Sequence, residues 1–157
     1  MLTTLRRKMV TLFRQPLFIQ LWLIPLWCVL GICKLLIFSV KFKKLADCLG
    51  QTMTATPWVP LLSQAQEYRA LQIGRAVRLS AKYTPWDSNC FPQAIAARWL
   101  LGLYNIPYAL YFGLQRDPEL ADMKAHAWVA AGRIRVTGGF SFNRFTVVGC
   151  FVDPHLP

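Results

Sequence analysis

The order of apolar and polar positions predicts helices in the first two thirds of the chain and strands in the last third. An apolar run fills residues 17–40, a helical period covers 64–81, and a second helical pattern runs from Cys90 to about Tyr104. Further on, apolar residues alternate with other residues, which is typical of strands. The predicted strands are residues 108–114, 125–129, 133–137 and 144–151. Helices followed by an antiparallel meander predict an α+β fold.

The same pattern divides the chain into three segments. Residues 1–50 form a basic, apolar and helical segment, and residues 51–62, rich in Thr and Pro, are predicted to be a linker. Residues 63–157 are then the folded domain. At 157 residues the chain is long enough for one domain with a buried core and a short appendage.

The N-terminal segment has three readings. Basic residues before an apolar run resemble a signal peptide, but no small-residue cleavage site follows the run. The run is long enough to span a membrane, yet Pro25 and Lys34 interrupt it and similar positive charge flanks both ends. We therefore favour a helix or helix pair that docks on the domain or attaches peripherally to a membrane.

The helix predicted from Gln64 to Ala81 begins near Ser63, which forms an approximate capping signal with Glu67, one residue too distant for a proper box. A helical period assigns an inward and an outward face to this helix. The predicted inward residues are Tyr68, Leu71, Val77 and Ala81. The predicted outward residues are basic, namely Arg69, Arg75, Arg78 and Lys82.

Charge and cysteine usage narrow the function classes. The net charge is +11, which favours acidic peptides, anionic lipid or nucleic acid, but no nucleic-acid-binding motif occurs. The odd count of five Cys, at positions 28, 33, 48, 90 and 150, indicates a reducing compartment and no disulfide framework. With His126 and His155 alone and no CxxC or HExxH, we expect no metal site.

Cys90 and His126 are the strongest candidates for chemistry. Cys90 is predicted at the start of a helix, where unpaired N–H groups and the helix dipole favour a thiolate. His126 lies 36 residues later on a predicted strand, in Ala125-His126-Ala127-Trp128-Val129. A cysteine hydrolase needs a thiolate and a nearby imidazole base. The alternative interpretation is that Cys90 is a small buried apolar residue and that His126 is a core histidine with its hydrogen bonds made.

Several motifs resemble the transglutaminase-like cysteine peptidases of lasso-peptide biosynthesis. Pro-Trp-x(3)-Cys at residues 85–90 and His-Ala-Trp-Val at 126–129 carry most of the resemblance, which extends over about residues 60–152. The basic Phe-x-x-Leu-Ala segment at 42–46 also fits. The shorter matching segments are Arg75-Ala76-Val77-Arg78, Leu100-Leu101-Gly102-Leu103, Ile106-Pro107, Val136-Thr137-Gly138-Gly139 and Phe145-Thr146-Val147-Val148.

The resemblance implies a papain/transglutaminase-like fold in which the Cys-bearing helix packs on an antiparallel sheet. It implies a leader peptidase of the split type, which cuts a ribosomally made precursor and exposes the core N-terminus for a macrolactam cyclase. The implied partners are the precursor, a separate small leader-recognition protein and an ATP-dependent cyclase, with no cofactor on this chain. The implied location is the bacterial cytoplasm, free or at the inner membrane.

Site roles follow from this resemblance and from acyl-transfer chemistry. Cys90 is the expected nucleophile, with its backbone N–H helping to stabilise the oxyanion, and His126 is the expected base. Trp86 and Trp128 are predicted to contact substrate, although core packing is the favoured interpretation for Trp128.

The third catalytic residue departs from the resemblance. Related proteins commonly carry an Asp about a dozen residues after the His, where this chain has Thr137 and Gly138. A tight turn at Ala131-Gly132 would place Thr137 opposite His126, so its hydroxyl is a predicted orienter. A backbone carbonyl and two side chains further along the chain remain alternatives. Those side chains are Asn143 and Asp153.

Two rival functions fit the same residues. One is another acyl transfer on the same fold, such as transamidation or amide hydrolysis. The other is a non-catalytic membrane-associated adaptor. The apolar N-terminal segment and the lack of an Asp a dozen residues after His126 would fit this function.

Overall fold

The computed structural model describes residues 13–41, 44, 49–53, 60–116, 123–139 and 141–153, with the backbone alone at Ser141 and Phe142. Cys48, His155 and parts of the predicted N-terminal and linker segments lie outside these residues. The described helices are α1 (Leu17–Ser39), α2 (Gln64–Lys82), α3 (Cys90–Leu103) and a 3₁₀ turn at Ser141–Arg144. The described strands are β1 (Gln51–Met53), β2 (Ala109–Arg116), β3 (Met123–Ala131), β4 (Ile134–Arg135) and β5 (Thr146–Val152).

These strands form one antiparallel sheet in the order β1-β5-β2-β3-β4, so the predicted α+β class is confirmed. The predicted meander is wrong, because β5 returns to pair with β2 and not with β4. Side chains alternate between its two faces. Ala127 and Val129 of β3 belong to the main core that α2 and α3 cover. His126 and Trp128 therefore alternate onto the other face of β3.

The β3–β4 turn lies one residue later than predicted. Ala131 pairs with Ile134, so the two turn residues are Gly132 and Arg133, and Gly132 takes a φ of 55°. A left-handed φ of this kind favours glycine, which explains the position of the turn. The predicted register between His126 and Thr137 is consequently wrong by two residues.

The predicted linker contains ordered structure at its start. Gln51–Met53 form β1, which pairs with β5 from Cys150 to Val152. Just before it, the backbone carbonyl of Leu49 accepts a hydrogen bond of 3.2 Å from the buried Tyr108 hydroxyl. These contacts join the segment after α1 to the sheet.

Helix α1 packs along its length against the other helices, as expected for the interpretation in which it docks on the domain. Its buried residues, Ile19, Leu26, Leu30 and Cys33, recur at helical spacing along one side. The indole Nε1 of Trp22 donates to the Tyr104 hydroxyl over 3.0 Å. Further contacts are hydrogen bonds from Trp27 Nε1 to the Tyr83 carbonyl and from Ser80 Oγ to the Leu23 carbonyl.

Helix α2 has its predicted extent, but its predicted inward face is partly wrong. Tyr68 and Leu71 are exposed, because α2 packs on α1 and on the sheet through a row of smaller residues. Its buried residues are Ala70, Gln72, Ile73, Gly74, Ala76, Val77 and Ser80. A proper capping box joins Ser63 to Gln66, which leaves Glu67 to pair with Arg133 at 2.7 Å.

Candidate active site

Cys90 is the first residue of α3, as the sequence predicts. The backbone N–H at this position has no intrahelical acceptor, and the side chain of the N-cap residue, Asn89, makes no capping hydrogen bond. Gln93 donates its side-chain Nε2–H to the Ser88 carbonyl over 2.7 Å and so holds the turn that leads into the helix. The thiol of Cys90 is half-buried at an uncapped helix start, a position suited to a nucleophile and an oxyanion donor.

Trp86 faces the N-terminal helix. Its ring centroid lies 4.8 Å from that of Trp27, and a Cβ added to Gly31 would stand 2.9 Å from the Trp86 ring. Its indole Nε1 is buried without a hydrogen-bond partner in the described structure. These contacts give Trp86 a packing role between α1 and the Cys90 loop, and its contact with substrate stays a prediction.

His126 is held by a backbone carbonyl. Its Nε2 lies 3.0 Å from the Gly138 carbonyl oxygen, and a carbonyl can only accept a hydrogen bond. Nε2 therefore carries the proton, and the lone pair of the neutral imidazole is at Nδ1. The ring stacks between Phe145, at a centroid distance of 4.9 Å, and Trp128, at 5.8 Å.

Two glycines make this arrangement of His126 possible. Gly138 has a φ of 88°, and a Cβ there would stand 2.2 Å from Trp128 Cβ and 3.3 Å from His126 Nε2. Gly113 is the partner of His126 across the β2–β3 ladder, and a Cβ there would stand 2.7 Å from Phe145 Cβ. Real side chains do not fit at such distances, so both positions require the absence of a side chain.

Thr137, the predicted orienter, has a different partner. Its buried hydroxyl accepts a hydrogen bond of 3.1 Å from the backbone N–H of Val129. Asp153 follows β5 beside Tyr108, remote from the His126 end of the sheet. Of the alternatives, the structure matches the backbone carbonyl, which belongs to Gly138.

Arg78 supports the same segment from α2. Arg78 is exposed, as the helical period predicts, and its Nη1 donates to the Val136 carbonyl over 2.7 Å. Burial, followed by repulsion from Arg75, lowers the pKa of the Arg78 guanidinium from its usual range. Arg78 thus fixes the backbone two residues before Gly138.

The structure does not join Cys90 to His126. Among the described residues, no hydrogen bond links the thiol to the imidazole, and His126 lies on the sheet face opposite to the one on which Phe91 contacts Phe112. Catalytic hydrogen bonds are often absent without substrate and form only in the complex. A working pair therefore requires Cys90 to move toward His126 while the His126–Gly138 hydrogen bond is kept, and the pairing stays a prediction.

The described residues contain no group of three or more His, Cys, Asp or Glu side chains placed to hold a metal ion. The described groups at this site are a thiol, an imidazole and backbone dipoles at a helix start and beside a strand. Acyl transfer uses such groups.

Comparison with known families shows to which protein family the chain belongs. The sequence model described as transglutaminase-like superfamily matches residues 33–150. The chain belongs to the transglutaminase-like superfamily. No curated protein and no solved structure matches the chain.

Transglutaminase-like proteins are usually cysteine-dependent enzymes, which fits Cys90 at the start of α3. The match begins within α1 and includes the predicted linker, in agreement with the packing of α1 and β1 on the rest of the chain. Gly138 and Arg78 were not predicted as site residues. The adjacent glycines at 138 and 139, directly after the hairpin, were the one available signal for a special backbone there.

Proposed function

We propose that this protein is a cysteine peptidase that removes the leader from a ribosomally made lasso-peptide precursor. The observation that carries the peptidase proposal is the combination, in a transglutaminase-like chain, of Cys90 at an uncapped helix start and His126 with its proton fixed on Nε2. The Pro-Trp-x(3)-Cys and His-Ala-Trp-Val motifs support the narrower lasso-peptide assignment.

His126 acts as the base through Nδ1. The Gly138 carbonyl holds the proton on Nε2, so the free lone pair at Nδ1 accepts the proton of the Cys90 thiol. Once the imidazole is protonated, the same carbonyl stabilises the cation through a charge-assisted hydrogen bond. Gly138 thus takes the part that a carboxylate plays in other cysteine and serine enzymes.

The reaction proceeds by acyl transfer. The Cys90 thiolate attacks the carbonyl of the leader–core bond, and the oxyanion is stabilised by the backbone N–H of Cys90. His126 gives its proton to the departing core amine as the C–N bond breaks. Water then hydrolyses the thioester, releasing a leader with a free carboxylate and regenerating the thiol.

The partners follow from this role. The proposal requires a separate small protein that binds the leader and delivers the precursor. It also requires an ATP-dependent cyclase, which uses the released amine to close the macrolactam. The proposed location is the bacterial cytoplasm, where the thiols stay reduced.

The decisive experiment incubates the purified protein and its leader-recognition partner with the precursor and follows the products by mass spectrometry. We expect cleavage at one bond, with an intact core and an intact leader as products. The Cys90→Ala variant should lose cleavage completely, and Cys28→Ala, which changes an exposed cysteine on α1, should cleave at the wild-type rate. Unchanged cleavage by Cys90→Ala would refute the catalytic assignment.

The same spectra separate peptidase from the other chemistry of the fold. Transamidation or side-chain amide hydrolysis would change the precursor mass with loss of ammonia and leave the backbone whole. An unmodified precursor, with Cys90 alkylated by iodoacetamide no faster than Cys28, would favour the non-catalytic adaptor.

A further inference from the structure

The side of α1 that faces away from the domain is apolar and uncovered. We call this the outward face of α1 and define it by Leu17, Leu21, Ile24, Leu35 and Phe38, which are between 69% and 77% exposed. These residues recur at three, four or eleven positions, so they share one side of the helix. The buried residues of α1 lie on the opposite side. Scattered exposed leucines need no explanation, but a continuous apolar side marks a binding surface.

Docking of α1 restricts what can cover this face. By length and composition α1 is the one described helix able to cross a membrane, and 17% of its most apolar window is buried. Its inner side is fastened to α2 and α3 by packing and by the three hydrogen bonds given above. A spanning α1 would carry α2 into the hydrocarbon, together with the exposed charges of Arg75 and Lys82. Charged side chains facing lipid are strongly disfavoured there.

The charge around α1 indicates what covers the face. The first 46 residues of the chain contain no Asp or Glu. They contain eight of the 18 basic residues: Arg6, Arg7, Lys8, Arg14, Lys34, Lys41, Lys43 and Lys44. Arg14 and Lys41, at the two ends of α1, are both exposed. An apolar helical face with cations at both ends complements an anionic lipid surface.

We propose that the outward face of α1 lies in the plane of an anionic membrane surface while its inner face stays docked on the domain. The apolar side chains enter the boundary between headgroups and acyl chains, and the flanking cations contact the headgroups. This inference does not depend on the proposed peptidase activity. The Cys90→Ala protein should therefore bind membranes as the wild type does.

The first test measures sedimentation of the full chain with phosphatidylcholine vesicles that contain or lack phosphatidylglycerol. We expect binding to the anionic vesicles that weakens as salt is added, because salt screens the charges at the ends of α1. Leu21→Glu/Ile24→Glu should weaken binding at least about tenfold, since it removes two apolar contacts and adds two negative charges. Equal binding to neutral and anionic vesicles would overturn the proposal.

A matched control uses exposed leucines outside α1. Leu61→Glu/Leu103→Glu adds the same charge at sites that are 99% and 55% exposed. We expect this variant to keep most of the binding, and circular dichroism should show both variants folded. Equal losses in the two variants would mean that net charge alone controls binding, and the outward face would then have no special role.

A second test distinguishes a helix in the membrane plane from a span. In protein added to sealed vesicles, Arg14→Cys and Lys41→Cys, each made in the Cys28→Ala background and read by peptide mass mapping, place thiols at opposite ends of α1. Both should react with a membrane-impermeant maleimide added outside. Protection of one end alone would indicate a span and overturn the proposal.

Sedimentation equilibrium without lipid tests whether a second copy covers the face. We expect a monomer, with the outward-face variant unchanged in mass. A dimer that Leu21→Glu/Ile24→Glu dissociates, together with no vesicle binding, would assign the face to self-association and also overturn the proposal.

Discussion

At the scale of single residues, the candidate site depends on where one imidazole proton is held. The Gly138 carbonyl fixes this proton on Nε2 of His126. The packing around the imidazole depends on two positions without side chains, Gly113 and Gly138. The Thr137 hydroxyl is occupied by the Val129 N–H and contributes to the fold of the hairpin. The observed partner of the His126 imidazole is therefore a backbone group and not a side chain.

Gly138→Ala should lower kcat far more than Gly139→Ala does. The added methyl would overlap Trp128 Cβ and displace the carbonyl from His126, so we expect kcat to fall about 100-fold, within the range for general acid–base catalysis. Gly139→Ala is the matched control, because it also has a positive φ, of 64°, but no heavy atom within 4 Å of the new Cβ. Each variant should lose about 1–2 kcal/mol of stability from backbone strain, and Gly138→Ala should lose more than Gly139→Ala, because its methyl also overlaps Trp128. Equal kcat values for the two variants would contradict the role of the Gly138 carbonyl.

Cys33 should make the fold sensitive to alkali. Burial raises the pKa of its thiol from 9.0 to about 11, so the thiol ionises in the unfolded chain first. Its contribution to stability is complete below pH 9 and is lost as the pH rises toward 11, at a cost of up to about 3 kcal/mol. Urea unfolding at pH 8, 9, 10 and 11 checks this, because the series spans the interval between the two pKa values. Cys33→Ala should lose less stability over this interval than the wild type, and parallel losses would contradict the prediction.

At the scale of elements, helix α2 links the N-terminal helix to the candidate site. One side of it packs on α1, and Arg78 donates to the Val136 carbonyl, two residues before Gly138. The periodicity of α2 predicted its extent but not its inward face, because it is contacted from two sides and buries small residues there. Tyr68 and Leu71 are larger and more apolar, yet they remain exposed.

Arg78→Ala should destabilise the protein by about 1–3 kcal/mol, because it leaves the Val136 carbonyl without this donor. It should also lower kcat, since the segment that carries Gly138 loses its support. The matched control is Arg75→Ala, which removes an exposed arginine from the same helix. Thermal unfolding and cleavage kinetics on both variants test this, and identical behaviour would show that the Arg78 hydrogen bond is dispensable.

At the scale of the whole molecule, α1 belongs to the folded unit and is not an appendage. Its residues Ile19, Leu26 and Leu30 are fully buried in the core shared with α2 and α3. The family match likewise begins at residue 33, inside α1.

Removal of residues 1–40 should therefore abolish cooperative unfolding. Burial of three large aliphatic side chains contributes about 5–9 kcal/mol, which is comparable with the whole stability of a domain. Differential scanning calorimetry should show no sharp transition for the truncated chain. Leu21→Glu/Ile24→Glu, which changes α1 on its outward face, should keep the wild-type Tm, so a cooperative transition in the truncated chain would contradict the role of α1 in the core.

The sequence predicted what depends on local pattern. Helical spacing after Cys90 and alternation around His126 were sufficient to place both residues on the correct elements. The features that the sequence did not predict depend on how separate elements pack against each other. The β3–β4 turn lies at Gly132–Arg133, and Gln51–Met53 pair with β5. The acceptor for His126 is a backbone carbonyl, which cannot be recognised from the type of residue.

A main-chain acceptor beside His126 has a consequence for how such enzymes are surveyed. If the proposed mechanism holds, replacement of polar side chains by alanine would identify Cys90, His126 and the supporting Arg78 but not Gly138, because a backbone carbonyl has no side chain to remove. That carbonyl also never gains or loses a proton. The pH dependence of the activity should therefore lack the ionisation that an aspartate in this place would add.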